Sequence, residues 1–155
     1  MADGSTRYDG GKAYKDSKLA NMLFFRELQK KDAFDGVDVL AFSPGFIPTT
    51  GLIRATRAPL LSGKWLKANA FAFVATNIAG FATTADVGGA RLAYMATAAL
   101  PSGTYLAPSE VGSKGTTLDD GFTAGIISAE ARDDRLAKLL WERSEELVGL
   151  AASGS

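Results

Sequence analysis

A chain of 155 residues, 46% hydrophobic and 22% charged, is long enough for one α/β unit with a core of its own. Its 17 basic residues balance 17 acidic ones, and zero net charge argues against nucleic acid, which needs a basic face. Cysteine and histidine are both absent, which excludes a disulfide framework, a thiolate or imidazole metal site and any Cys-His or Ser-His nucleophile.

The first eleven residues are polar and do not read as a secretory signal. From Ala13 to Lys31 the spacing predicts a helix, and Tyr14 and Lys18 stand four residues apart at its start. Positions i and i+4 share a helix face, so the phenol and the ammonium point into one site. A neighbouring positive charge favours the phenolate, which suits a tyrosine to proton transfer near neutral pH. This is the chemistry of carbonyl and alkene reduction by a nicotinamide; the structural alternative is an exposed pair on a solvated helix.

A polar turn over Asp32 to Gly36 leads to Val37-Asp38-Val39-Leu40-Ala41-Phe42, a short apolar strand that Pro44-Gly45 ends. The loop of residues 43–51 leaves the carboxyl end of that strand, where open α/β sheets bind ligands. It also fits an ordinary turn, since Pro and Gly commonly terminate strands. Gly51 to Ala58 is expected to form a helical turn before Pro59.

Residues 60–85 form an apolar segment, and after Lys67 no charge occurs until Asp86. Asn69, Thr76, Asn77 and Gly80 interrupt it too often for a transmembrane helix, which needs about 20 predominantly apolar residues. Two readings stand: buried core, or a greasy lid and docking surface at 68–85 for pigment, lipid or another polypeptide. Thr84 then caps a helix over 84–100 carrying Val87, Ala90, Leu92, Ala93 and Met95, with Asp86 favourable in its first turn. Residues 103–107 read as the last strand. Ser128 is expected to cap a helix over 128–149, with Leu136, Leu139, Leu140, Leu147 and Val148 as its apolar stripe and Gly149 at its end.

Three of these segments carry a family resemblance. Tyr14-Lys15-Asp16-Ser17-Lys18-Leu19-Ala20-Asn21-Met22-Leu23 resembles the active-site helix of the short-chain dehydrogenases/reductases, and within them of the light-dependent protochlorophyllide oxidoreductases. Ser43-Pro44-Gly45-Phe46-Ile47-Pro48-Thr49-Thr50-Gly51-Leu52 is similar to the family's Pro-Gly loop. Glu130-Ala131-Arg132-Asp133-Asp134, leading to Trp141-Glu142-Arg143-Ser144-Glu145-Glu146-Leu147-Val148-Gly149-Leu150-Ala151, looks like its C-terminal helix.

The resemblance implies an α/β fold: residues 1–155 as a single partial domain, the C-terminal portion of a Rossmann-like doubly wound parallel sheet without its N-terminal nucleotide-binding half. It implies NADPH as hydride source, Tyr14 as proton donor, and Lys18 as the group that binds the nicotinamide ribose and lowers the tyrosine pKa. Pro44, Gly45, Ile47 and Thr49 are then expected to line the nicotinamide. Neither a glycine-rich turn after a strand nor the superfamily's catalytic serine has a matching position; Ser5 is too close to Tyr14 and lies in a loop-like stretch. Where the pigment reductases usually carry Tyr-Pro-Gly-Cys, this chain has Ser43-Pro44-Gly45-Phe46, which puts a ring in place of a thiol. The family implies a chloroplast or photosynthetic membrane surface, with peripheral membrane contact. A second reading is a non-catalytic interaction subunit derived from the family, in a chlorophyll-containing photosynthetic complex.

Overall fold

The computed structural model describes residues 8–31, 35–50, 59–60 and 62–150. The expected helical turn at Gly51–Ala58, most of the Asp32–Gly36 turn, the end of the Pro-Gly loop and Ser5 lie outside these residues. The chain divides into two compact units, Met1–Val39 with Ile127–Ser155, and Leu40–Ile126.

The first unit pairs the active-site helix with the C-terminal one. Helix α1 spans Gly10–Leu28, three residues earlier than the sequence predicts at each end. Asp9 is the reason, because its carboxylate accepts from the amides of Gly11 at 2.8 Å and Lys12 at 3.2 Å. Gly10 and Gly11 therefore fall in the first turn of the helix, where the cap satisfies the Gly11 amide. Helix α4 spans Asp134–Leu147 and is capped by Asp133, not by Ser128. The Ser128 hydroxyl instead accepts from Ala131 N–H at the short 3₁₀ turn Glu130–Arg132.

Leu23 of α1 and Ala137 of α4 are buried, and Phe24 stacks on Trp141 with ring centroids 5.1 Å apart. Asp134 takes Arg26 at 2.6 Å and Lys30 at 2.5 Å, and these charges hold its carboxyl down to about 2. The apolar stripe predicted for α4 is only partly covered: Leu139, Leu147 and Val148 are exposed. Leu23, Leu136, Leu139, Leu140 and Arg143 line an open apolar groove of about 330 Å³.

The second unit holds a three-stranded mixed sheet in the order β1-β2-β3. Strands β1 (Ala41–Phe42) and β2 (Tyr105–Pro108) are parallel, with Ala41 opposite Tyr105 and Phe42 opposite Leu106. The sequence predicts strands over 37–42 and 103–107; the ladder keeps only the last two residues of the first. The second starts late because Gly103, at φ 86°, and Thr104 close a turn onto Pro101 O. Strand β3 (Phe122–Ala124) runs antiparallel to β2 and is absent from the sequence reading, where three residues between glycines give no alternation to detect. Phe122, Leu106 and Met95 form the core, with Phe42 and Tyr94 edge-on to the Phe122 ring.

Two helices lie between β1 and β2 in the chain. Helix α2 (Gly63–Phe73) continues into a π-helical turn, Val74–Ile78, through a segment the sequence leaves without a helix. Ser62 caps it, and the interrupting Asn69 and Asn77 donate back to Trp65 O and Phe73 O, so their amides are satisfied within the helix. Helix α3 (Ala85–Thr97) starts at the predicted cap, with Thr84 Oγ1 accepting from Val87 N–H. Of the apolar residues the sequence places on it, Met95 is buried, alongside Gly88 and Arg91, while Leu92 is exposed.

Candidate functional site

The predicted site residues divide between the two units. In the first, α1 carries Tyr14 and Lys18 on one face, with Lys18 Nζ 5.3 Å from the centroid of the Tyr14 ring. Tyr14 is 47% exposed, so its hydroxyl is open to a reacting partner. Lys12 and Asp16 pair at 2.6 Å one turn alongside, which keeps Asp16 ionised and its pKa lowered. The Ser17 hydroxyl is spent within the helix, donating to Tyr14 O at 2.7 Å.

In the second unit the Pro-Gly loop follows β1. Ser43 N–H donates to Leu106 O at 2.9 Å, which continues the parallel ladder before the chain turns. Gly45 makes that turn at φ 85°, a conformation in which a side chain is strained, and an added Cβ would also stand 3.0 Å from Arg91 Nη1. Ile47 is buried, and a Cβ on Gly88 would meet its Cδ1 at 2.5 Å, so helix α3 gives it room by lacking a side chain there. Thr49 is exposed, and Pro44 offers its carbonyl to Arg91 at 2.8 Å.

A groove of about 350 Å³ opens at the carboxyl ends of β1 and β2. Ser43, Gly45 and Phe46 form one wall, while Ser109, Glu110, Val111 and Gly112 form another. Of the four residues expected to contact nicotinamide, Gly45 lines this groove; Ile47 packs inward. Phe46 closes one end by stacking on Phe81 at 6.2 Å and meeting Phe71 edge-on at 6.5 Å. The ring that replaces the family's thiol therefore anchors the apolar segment to the loop. In the same segment Leu66, Phe73, Val74 and Ile78 are exposed, while Ala68, Ala72 and Ala75 are buried.

Sequence reasoning missed Arg91 and Thr83. Arg91 is fully buried and donates to Pro44, Ser113 and Gly115 carbonyls. Thr83 is buried beside Gly45, its amide donating to Phe46 O at 2.8 Å and its hydroxyl without a partner. No residue spacing marks either, because the carbonyls they bond lie far along the chain. The groove leaves the backbone at Gly45 bare, at the position where the resemblance expects nicotinamide. The pyrophosphate end lacks its glycine-rich turn. Among the described residues no acidic cluster suits a metal, and no helix is long and apolar enough to cross a membrane.

No protein-family model matches the chain. Relatives match it along almost its whole length: protochlorophyllide reductase from oat is 35% identical over 154 residues, covering 97% of this chain and 44% of that protein. The chloroplastic protochlorophyllide reductase A of barley is 34% identical over 97% of this chain and 36% of its own length. The chloroplastic enzyme of cucumber is also 34% identical, over 97% of this chain and 35% of its own. The chain thus spans less than half the length of these relatives. The α/β fold, the parallel strand pair and these motifs in this order agree with a portion of a short-chain dehydrogenase/reductase. Its particular relatives are the protochlorophyllide reductases, an NADPH-dependent family whose barley and cucumber members are chloroplastic by name.

Proposed function

We propose that this chain supplies the proton-delivering and nicotinamide-facing part of a chloroplast NADPH-dependent reductase that acts on protochlorophyllide or a pigment like it. NADPH would supply the hydride. Tyr14 donates the proton from the exposed face of α1, and Lys18 holds its charge beside the ring and binds the nicotinamide ribose. The Pro44-Gly45-Phe46-Ile47 backbone and Thr49 receive the nicotinamide, and a glycine-rich half outside these 155 residues holds the pyrophosphate. The observation that carries the reading is a 35% identity running through 97% of the chain, with Tyr14 and Lys18 on one helix face.

The exposed Leu66, Phe73, Val74 and Ile78 support a partner over this face, which we assign to lipid, pigment or a neighbouring polypeptide at a photosynthetic membrane surface. The same exposure is what favours the non-catalytic interaction subunit as a second reading. One experiment separates the two. The chain is joined to the upstream dinucleotide-binding part of the oat reductase, and NADPH-dependent loss of protochlorophyllide is followed spectroscopically under illumination. Turnover supports the reductase; a joined protein that binds NADPH yet leaves the pigment unchanged supports the interaction subunit.

A further inference from the structure

Arg91 is a charged side chain with no exposure at all, on the inner face of a helix whose apolar Leu92 points to solvent. That arrangement reverses the ordinary pattern and demands compensation, since an unpaired buried cation is costly. The compensation is three carbonyls. Nε donates to Gly115 O at 2.7 Å, Nη1 to Pro44 O at 2.8 Å and Nη2 to Ser113 O at 2.7 Å. The guanidinium also lies 5.3 Å from the centroid of the Phe122 ring, a cation–π contact on the core.

These acceptors belong to the two loops that wall the groove. Pro44 precedes Gly45 and Phe46 on one side, and Ser113 directly follows Gly112 on the other. The second loop bears in turn on the apolar segment, because a Cβ at Gly112 would stand 1.5 Å from Gly80 O. A planar fork with donors in three directions fixes all three acceptors at once; an ammonium on a flexible stem does not.

We propose that Arg91 is the positioning residue of this groove: its guanidinium sets the separation of the Pro-Gly loop from the 109–115 loop, and with it the fit of the nicotinamide end of the cofactor. The cofactor part of this inference rests on the reductase reading; the geometric part does not.

The test is Arg91→Lys, which keeps the buried charge, with Arg91→Met as the harsher variant. Hydrogen exchange of the full chain should show faster exchange in Arg91→Lys at Gly45–Phe46 and across residues 110–115, with Met95 and Leu106 amides still protected. Equal acceleration throughout residues 40–126, or none in either loop, overturns the proposal. If Arg91→Met unfolds, the lysine variant still decides. In the joined reductase, Arg91→Lys should raise KM for NADPH about tenfold with kcat changed less than threefold, a loss of binding rather than of chemistry. Local loosening with unchanged KM would keep Arg91 as the strut of the loops but remove nicotinamide from the groove, and would count against the reductase reading.

Discussion

The start of α1 and the Pro-Gly loop carry the two halves of the proposed chemistry, and they are built in opposite ways. Tyr14 and Lys18 are placed by one turn of helix, near the Asp9 cap, and stand in solvent. The loop is held from far along the chain: Arg91 reaches Pro44 across 47 positions, Gly115 across 24 and Ser113 across 22. The first arrangement survives most changes elsewhere. The second depends on contacts that no local pattern reveals.

The largest expected effect is on the helix side. In the joined reductase, Tyr14→Phe removes the transferable proton and should lower kcat by about 10²–10⁴-fold, the usual worth of general acid–base catalysis. Lys18→Ala should be nearly as severe and should also weaken NADPH binding. Circular dichroism should stay unchanged in both, since each side chain is exposed and its contact is one cation–π approach. Near-normal turnover in Tyr14→Phe would leave this helix a structural role only.

On the loop side, Gly112→Ala should be the most damaging small substitution. It forces a side chain at φ 81° and into Gly80 O, where backbone has to move. Overpacking of this kind typically costs about 1–3 kcal/mol, and denaturant unfolding of the chain measures it. A loss under about 0.5 kcal/mol would mean that the 109–115 loop is not held against the apolar segment.

Acid provides a gentler contrast, within the first unit. Asp134 carries a carboxyl held down to about 2 by Arg26 and Lys30, below its ordinary 3.8. A depressed folded value means that the contribution is fully present above about pH 4 and fades as pH falls through 3.8 towards 2. Arg26, Lys30 and Asp134 are all substantially exposed, so solvent screens the effect and it should be modest. Helicity of α1 and α4 should therefore decline slightly in that window, and Asp134→Asn should flatten the decline. An identical acid profile in the variant would remove the trio from the account.

The smallest expected change in stability comes from Phe73→Ser with Ile78→Ser. Both side chains are exposed, so unfolding should shift by less than about 0.5 kcal/mol while association with membrane, pigment or partner falls. Phe71→Ser should behave differently, because it breaks the contacts with Phe46 and Phe81. A loss of stability above about 1.5 kcal/mol in the double serine variant would make this stretch ordinary core.

What the sequence reveals follows the same division. The Tyr14–Lys18 face, the Thr84 cap and the places of the two predicted strands rest on local pattern, and all are legible; the parallel sheet is legible through the resemblance. Helix α2 is hidden because Asn69 and Asn77 look like interruptions until their amides are seen to bond one turn back. Strand β3 exists through its register with β2, not through its own three residues. Arg91 carries no signal of its own in the sequence, and only the fold supplies the three carbonyls that compensate its burial. The replacement of the family's thiol by Phe46 is visible in sequence, whereas its stacking on Phe81 is not.

The central claim is that the chain holds the nicotinamide and proton side of a reductase without its pyrophosphate site. Calorimetric titration with NADPH tests it most directly, on the chain alone and on the chain joined to the upstream half of the oat relative. The joined protein should bind in the low micromolar range and the chain alone should show no binding there. A clear micromolar dissociation constant for the chain alone would contradict the account.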